Sequence, residues 1–200
     1  VTGAFLVDLD GVLVDSQAAA ARSWTWWASR HSLDPGPFIE AHGRPSREAI
    51  AELAPELDAD AEAALVEERE ISDTDGVVAL PGAAAILAAA RPVAIVTSGG
   101  RRLADARLRA AGLRRPEVLV SVDSISHGKP HPEPYLFAAQ RLGVSPGSCT
   151  VFEDAPAGVA AGKAAGMRVV ALTTTVGAED LGAADRIVTN LAEYLDGCAR

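Results

Sequence analysis

Short, almost uninterrupted apolar runs recur along this chain of 200 residues, and Ala-rich segments of helical length separate them. The runs are Ala4-Phe5-Leu6-Val7, Val93-Ala94-Ile95-Val96, Val118-Leu119-Val120, Thr150-Val151-Phe152 and Arg168 to Leu172, with Ile187-Val188 a weaker member. A strand with no polar alternation must be covered on both faces. The segments Pro81 to Ala90, Arg101 to Ala111, Pro134 to Leu142 and Pro156 to Ala165 can supply that cover. Gly112, Gly143 and Gly166 each follow such a segment, where a left-handed residue closes a helix. The pattern predicts an α/β fold, a Rossmann-like parallel sheet clad by helices.

One interval breaks the alternation. Between Asp15 and Asp75 no strand is expected, whereas Ser16 to Arg30, Ser46 to Ala54 and Ala59 to Glu70 read as helices. Trp24, Trp27 and His31 share one helix face, and Glu67-Glu68-Arg69-Glu70 reads as a solvated one. A block of this size after the first strand predicts a small α-helical cap domain, residues 15–76, inserted into a core of residues 1–14 and 77–200.

Composition narrows the functional classes. Hydrophobic residues are 48% but aromatics only 4%, so the core is built largely of Ala, Val and Leu. Eighteen basic against 27 acidic residues, a formal charge of −9, argues against a nucleic-acid partner. The uncharged stretch Val77 to Ala90 has 14 residues and is broken by Pro81-Gly82, too short for a membrane span. Two cysteines, Cys149 and Cys198, make neither a zinc module nor a disulfide framework, and Cys149 reads as a small buried hydrophobe. A cytoplasmic monomer or weak dimer acting on a small molecule is the expectation.

The chemistry is concentrated where strands end. The first run emerges into Asp8-Leu9-Asp10-Gly11, two carboxylates two residues apart before a residue that permits a tight turn. Ligands of open α/β sheets bind at these carboxyl ends. A solvated Asp-x-Asp-Gly turn has the same composition. A second pair, Glu153-Asp154, follows Thr150-Val151-Phe152, and helix capping before Pro156 is its plainer reading. If both strands lie parallel in one sheet, four acids converge, and an oxygen-only set of that charge suits a hard divalent cation such as magnesium. Thr97-Ser98-Gly99-Gly100 offers hydroxyls and amides before a helix, suited to a phosphate or to ordinary capping. Lys129 sits among Pro130, Pro132 and Pro134, a restraint suited to a cation aimed at a fixed anion. His127 and His131 read as surface residues.

Asp8-x-Asp10-Gly11, Thr97-Ser98, Gly128-Lys129-Pro130 and Glu153-Asp154, in that order, resemble the four motifs of the haloacid dehalogenase superfamily of phosphatases and phosphomutases. The resemblance covers nearly the whole chain, and the inserted block is similar to that family's helical cap. It implies that Asp8 is the nucleophile, forming an aspartyl-phosphate, and that Asp10 is the general acid and base. It implies a magnesium ion held by Asp8, the Asp10 backbone carbonyl and Asp154, with Glu153 close by. Thr97 and the Ser98-Gly99 backbone would hold the phosphoryl oxygens, and Lys129 would neutralise their charge. Family members that cleave carbon–halogen bonds lack an acid at the position of Asp10, so a phosphate ester is the implied substrate.

The cap would select the leaving group. His42-Gly43-Arg44-Pro45-Ser46-Arg47 is similar to the cap loop of sugar-phosphate members, which makes Arg44 and Arg47 candidates for binding the substrate; two solvated arginines near a helix start is the other reading. Ser16-Gln17-Ala18 and Gly128 to Tyr135 most resemble the sugar- and polyol-phosphate phosphatases, including those acting on glycerol phosphate and 2-deoxyglucose phosphate. The β-phosphoglucomutase branch carries a histidine near the position of Ala20, which this chain lacks. A catalytically silent binding protein of the same fold is the third reading.

Overall fold

In the computed structural model, which describes residues 3–41 and 44–198, the apolar runs become one parallel sheet. Its strands are β1 (Phe5–Val7), β4 (Val93–Val96), β5 (Val118–Val120), β6 (Thr150–Glu153), β7 (Arg168–Leu172) and β8 (Arg186–Val188), in the order β5-β4-β1-β6-β7-β8. The chain builds outward from β1 first on one side and then on the other. β1 is therefore the switch point at which a crevice opens above the carboxyl ends. Register places Val7 opposite Ile95 on β4 and Phe152 on β6, so Asp8 and Glu153 leave the sheet side by side.

Both faces are covered. Phe5, Val7, Ile95, Phe152 and Tyr194 belong to one buried cluster, with edge-on ring contacts joining Phe5, Phe152 and Tyr194. Leu6, Val96, Val151, Tyr135 and Val169 belong to a second on the opposite face. The cover comes from α5 (Ala83–Leu87), α6 (Arg101–Ala110), α7 (Glu133–Leu142), α8 (Pro156–Ala164) and α9 (Leu191–Cys198). Gly112, Gly143 and Gly166 all take positive φ, as helix closure requires. Cys149 is buried, 1% exposed. Among the described residues no helix is long and apolar enough to cross a membrane.

The interval between Asp15 and Asp75 holds α1 (Gln17–His31), α2 (Gly36–Glu40), α3 (Ser46–Leu53) and α4 (Ala59–Ser72). α2 was not expected; Pro35-Gly36-Pro37 starts it, with proline tolerated in the first turn. Trp24, Trp27, Phe38, Ile50 and Val66 form a third apolar cluster. Trp27 Nε1 donates to Glu62 at 2.7 Å, the partner a buried indole needs.

The border strands are an addition, and one helix expectation is corrected. The interval is bordered by a pair of two-residue strands, β2 (Val14–Asp15) and β3 (Val78–Ala79), paired antiparallel where the chain leaves and re-enters. Two residues are too few for a periodic signal. The helix expected over Pro81 to Ala90 spans only Ala83–Leu87: Gly82 (φ 89°) starts it late, and it closes at Ala88.

Candidate active site

The crevice above β1 is floored by carboxylates. Asp8, Glu153 and Asp154 are all buried, and one carboxylate oxygen from each lies within 4.8 Å of the others. The Lys129 ammonium, 3% exposed, meets this group from the segment before α7. It is hydrogen-bonded to Asp8, lies 2.6 Å from Glu153, and donates to the Val96 carbonyl at 3.0 Å. Glu133, the first residue of α7, ties that segment down by accepting from the Ser126 and His127 amides at 2.7 and 3.1 Å. Burial, then the neighbouring acids, push the Asp8 carboxyl well above the usual range, opposed by Lys129. The flanking carboxylates push the Lys129 ammonium up in turn, so it keeps its proton despite burial.

One lysine among three buried acids leaves an excess of negative charge at the site. An all-oxygen donor set with that excess fits a hard divalent cation. The backbone is shaped around it. Gly11 has φ 76°, and a Cβ there would stand 1.9 Å from an Asp154 oxygen. A Cβ at Gly158 on α8 would stand 1.9 Å from the Glu153 carboxyl carbon. Asp154 does not cap α8, as its position before Pro156 allowed; Ala155 is the N-cap residue and makes no side-chain bond. Asp154 accepts instead from the Thr175 hydroxyl at 2.7 Å.

The fourth acid stands apart from the metal-competent three. The Asp10 carboxylate accepts from Ser16 Oγ at 2.6 Å and from Arg107 Nη1 at 2.6 Å. The Asp10 side chain is not among the acids of the cluster, because the turn after β1 aims Asp8 and Asp10 differently. Arg107 reaches on to Glu70 at 2.8 Å, so the acidic run on α4 is not wholly solvated. Burial pushes the Glu70 carboxyl up, Arg107 opposing.

Above the floor lies a cavity of about 380 Å³ walled by both the sheet and the helical interval. Asp8, Asp10, Ser98 and Gly99 line it from below; Gln17, Trp24, Phe38, Glu40, Arg44 and Ser46 line it from the helical side. Thr97 is buried directly after β4, its hydroxyl accepting from the Gly99 amide at 3.1 Å. Arg44 lines the cavity and is bound to Glu52 at 2.6 Å. Arg47 does not line it. It borders a neighbouring opening, 61% exposed and paired with Asp60 at 2.5 Å, because its position on α3 points it along the helical surface. His42 and Gly43, of the same loop, lie outside the described residues.

Residue-by-residue reading missed Arg107, Glu70, Thr175, Gly158 and Tyr135, whose hydroxyl donates to Glu153 at 2.5 Å. Their signals are weak. Arg107 looks like one of several cations on α6, and Gly158 like one small residue in an Ala-rich helix.

The profile of the haloacid dehalogenase-like hydrolase family matches residues 2–166. The chain is 42% identical over 197 residues to hexitol phosphatase A of Escherichia coli, covering 94% of this chain and 91% of that one. It is 36% identical over 188 residues to glycerol-1-phosphate phosphohydrolase 2 of Saccharomyces cerevisiae, covering 86% and 75%. Among solved structures, a hydrolase from Pseudomonas syringae superposes with a TM-score of 0.88 at 25% identity, covering 100% of this chain and 98% of that one. With the family's profile spanning most of the sequence and the carboxylate-floored crevice in its parallel sheet, the chain belongs to the haloacid dehalogenase-like hydrolases.

Proposed function

We propose that this protein is a magnesium-dependent phosphatase of a small sugar or polyol phosphate, working through an aspartyl-phosphate on Asp8. One observation carries the reading: a buried carboxylate paired to a buried lysine, beside two further acids, under a cavity lined by hydroxyl, carboxylate and guanidinium groups. The phosphatase names of the relatives support it. Residues 15–76 would act as the cap that encloses the leaving group.

An oxygen of Asp8 attacks phosphorus as the bond to the ester oxygen breaks, and Asp10 gives its proton to that oxygen. Asp10, now a carboxylate, takes a proton from water as the water oxygen attacks phosphorus. The Asp8–phosphorus bond then breaks, returning Asp8 and releasing phosphate. Lys129 stays protonated throughout and offsets charge on the phosphoryl oxygens, with Thr97 and the Ser98-Gly99 backbone as hydrogen-bonding partners. Asp8, Asp154 and the Asp10 carbonyl would hold magnesium, Glu153 beside them, and the bound ion would supply positive charge that favours ionised Asp8 and screens the phosphoryl group.

A screen of hexitol, glycerol and hexose phosphates with magnesium is expected to release inorganic phosphate. An isomeric sugar phosphate from β-glucose 1-phosphate, with no free phosphate, would instead establish the mutase reading. Ala20 lines the cavity and offers no imidazole to Asp10, which supports the phosphatase reading over the mutase one. Release of nothing from any ester would favour a binding role.

Chelation should lower turnover at least about 100-fold, and added magnesium should restore it. Magnesium should also raise the melting temperature of the resting protein, since it binds a preformed cluster of acids. Unchanged turnover after exhaustive chelation would remove the ion from the mechanism.

Arg44→Ala should cost roughly tenfold in kcat/KM on a sugar phosphate, the scale of one charge-assisted hydrogen bond. On a small aryl phosphate the loss should be no more than about twofold, since selection acts on the leaving group. Equal losses on both esters would place Arg44 outside recognition.

A further inference from the structure

We infer that Arg107 is a positioning residue for Asp10 and that, through Glu70, it makes the working orientation of Asp10 depend on the docked helical cap. The inference rests on Asp10 serving as acid and base to Asp8, as proposed above. Arg107 lies on α6 in the sheet-bearing part of the chain, on the buried face shared by Leu103, Ala104 and Leu108. Its side chain is 8% exposed. One end of the guanidinium holds Asp10 and the other holds Glu70, on α4 of the helical interval, with both bonds under 3 Å. Ser16 holds the other oxygen of Asp10. Asp10, Glu70 and Arg107 all line the cavity over Asp8.

Stability alone is a poor account of this trio. Desolvating three charges offsets most of their attraction, and apolar side chains of similar volume commonly hold two helices as well. What a planar fork adds is angle: two fixed N–H directions orient both partners, which a point charge cannot do. A group that transfers a proton to a departing oxygen must be placed within a fraction of an ångström. With Glu70 in contact, the fork is anchored at both ends and Asp10 is clamped between Arg107 and Ser16. When α4 moves away, Arg107 loses one anchor and Asp10 loses its fixed angle. Proton delivery is thereby restricted to the state in which the cap encloses the leaving group.

The test uses Arg107→Gln, Arg107→Lys and Glu70→Leu in the full chain. Two esters are compared: the alkyl phosphate that the wild type turns over fastest, and para-nitrophenyl phosphate, whose leaving group needs little protonation. In single turnover, Arg107→Gln should slow alcohol release about 100-fold, the scale of general acid catalysis, and nitrophenolate release less than about tenfold. Phosphate release should slow with the alcohol step, because Asp10 then acts as base. A burst of nitrophenolate ahead of slow turnover follows. Arg107→Lys should recover little of the loss, lacking the fork. Glu70→Leu should give the same split at a smaller loss of roughly threefold to thirtyfold. Glu70→Leu leaves Arg107 paired with Asp10, so no buried charge is orphaned, and it decides the matter should either Arg107 variant not fold. Equal slowing of both esters, or none, would overturn the inference while leaving the phosphatase reading intact. A wild type that hydrolyses neither ester would overturn both.

Discussion

Asp8→Asn is expected to give a folded protein that releases phosphate at least about 10⁴-fold more slowly, because the reacting oxygen is lost and no neighbour can replace it. The substitution keeps shape and removes a charge from a cluster already rich in acids. Lys129 retains Glu153 at 2.6 Å and the Val96 carbonyl at 3.0 Å. Burial and the acids Glu153, Asp154 and Asp10 all disfavour ionised Asp8, so its neutral amide should lower the melting temperature little or raise it. Phosphate release, a melting curve and an intact mass to exclude deamidation make the measurement. Acid quenching of the wild type with radiolabelled substrate should show the label on the peptide containing Asp8. A fully active, undeamidated variant would remove Asp8 as nucleophile.

Lys129→Met should be the most damaging change to stability, and it should cost activity as well. Its ammonium is 3% exposed and bound to Asp8, Glu153 and a strand-end carbonyl. Removing one partner of a buried ion pair leaves uncompensated charge and costs about 3–5 kcal/mol. For a chain of this size each kcal/mol is worth about 2–4 °C, so the melting temperature should fall by roughly 6–20 °C. Added magnesium should recover part of this fall, since a cation at Asp8 and Asp154 screens the same acids. Activity should drop about 10²–10³-fold even when magnesium saturates, the scale of losing one fixed charge facing the developing oxyanion. A variant as stable as the wild type without metal would show that the acids do not depend on this ammonium.

Much of this site follows from patterns that are local along the chain. A run such as Phe5-Leu6-Val7 is apolar on both faces, so it lies inside a sheet, and a polar residue directly after it stands at the sheet's edge. Thr97 and Asp154 stand at strand ends for the same reason, and proline flanks mark the turn that carries Lys129. What was not readable involves choices among equivalent residues. Among Glu67, Glu68 and Glu70, burial falls on Glu70, and among the arginines of α6 on Arg107, because α4 packs on α6 with those two positions facing. Arg44 and Arg47 sit three residues apart, yet only Arg44 lines the cavity over Asp8. Arg44 precedes Pro45, the N-cap of α3, whereas Arg47 lies in the first turn of that helix, so the two side chains leave non-helical and helical backbone in different directions.

The order of apolar runs, small-residue helices and strand-end acids therefore determined the α/β layering and the chemistry available at the crevice. Each of those properties depends on a residue and its near neighbours, which periodicity and turn chemistry encode directly. Only the tertiary structure decided that three acids rather than four share the cation-ready cluster, and that Asp10 is clamped by an arginine bonded to the helical interval. Those outcomes depend on the register of β1 against β6 and on the packing of α4 on α6. They are contacts between segments tens to more than a hundred residues apart, made by side chains that locally resemble their solvated neighbours.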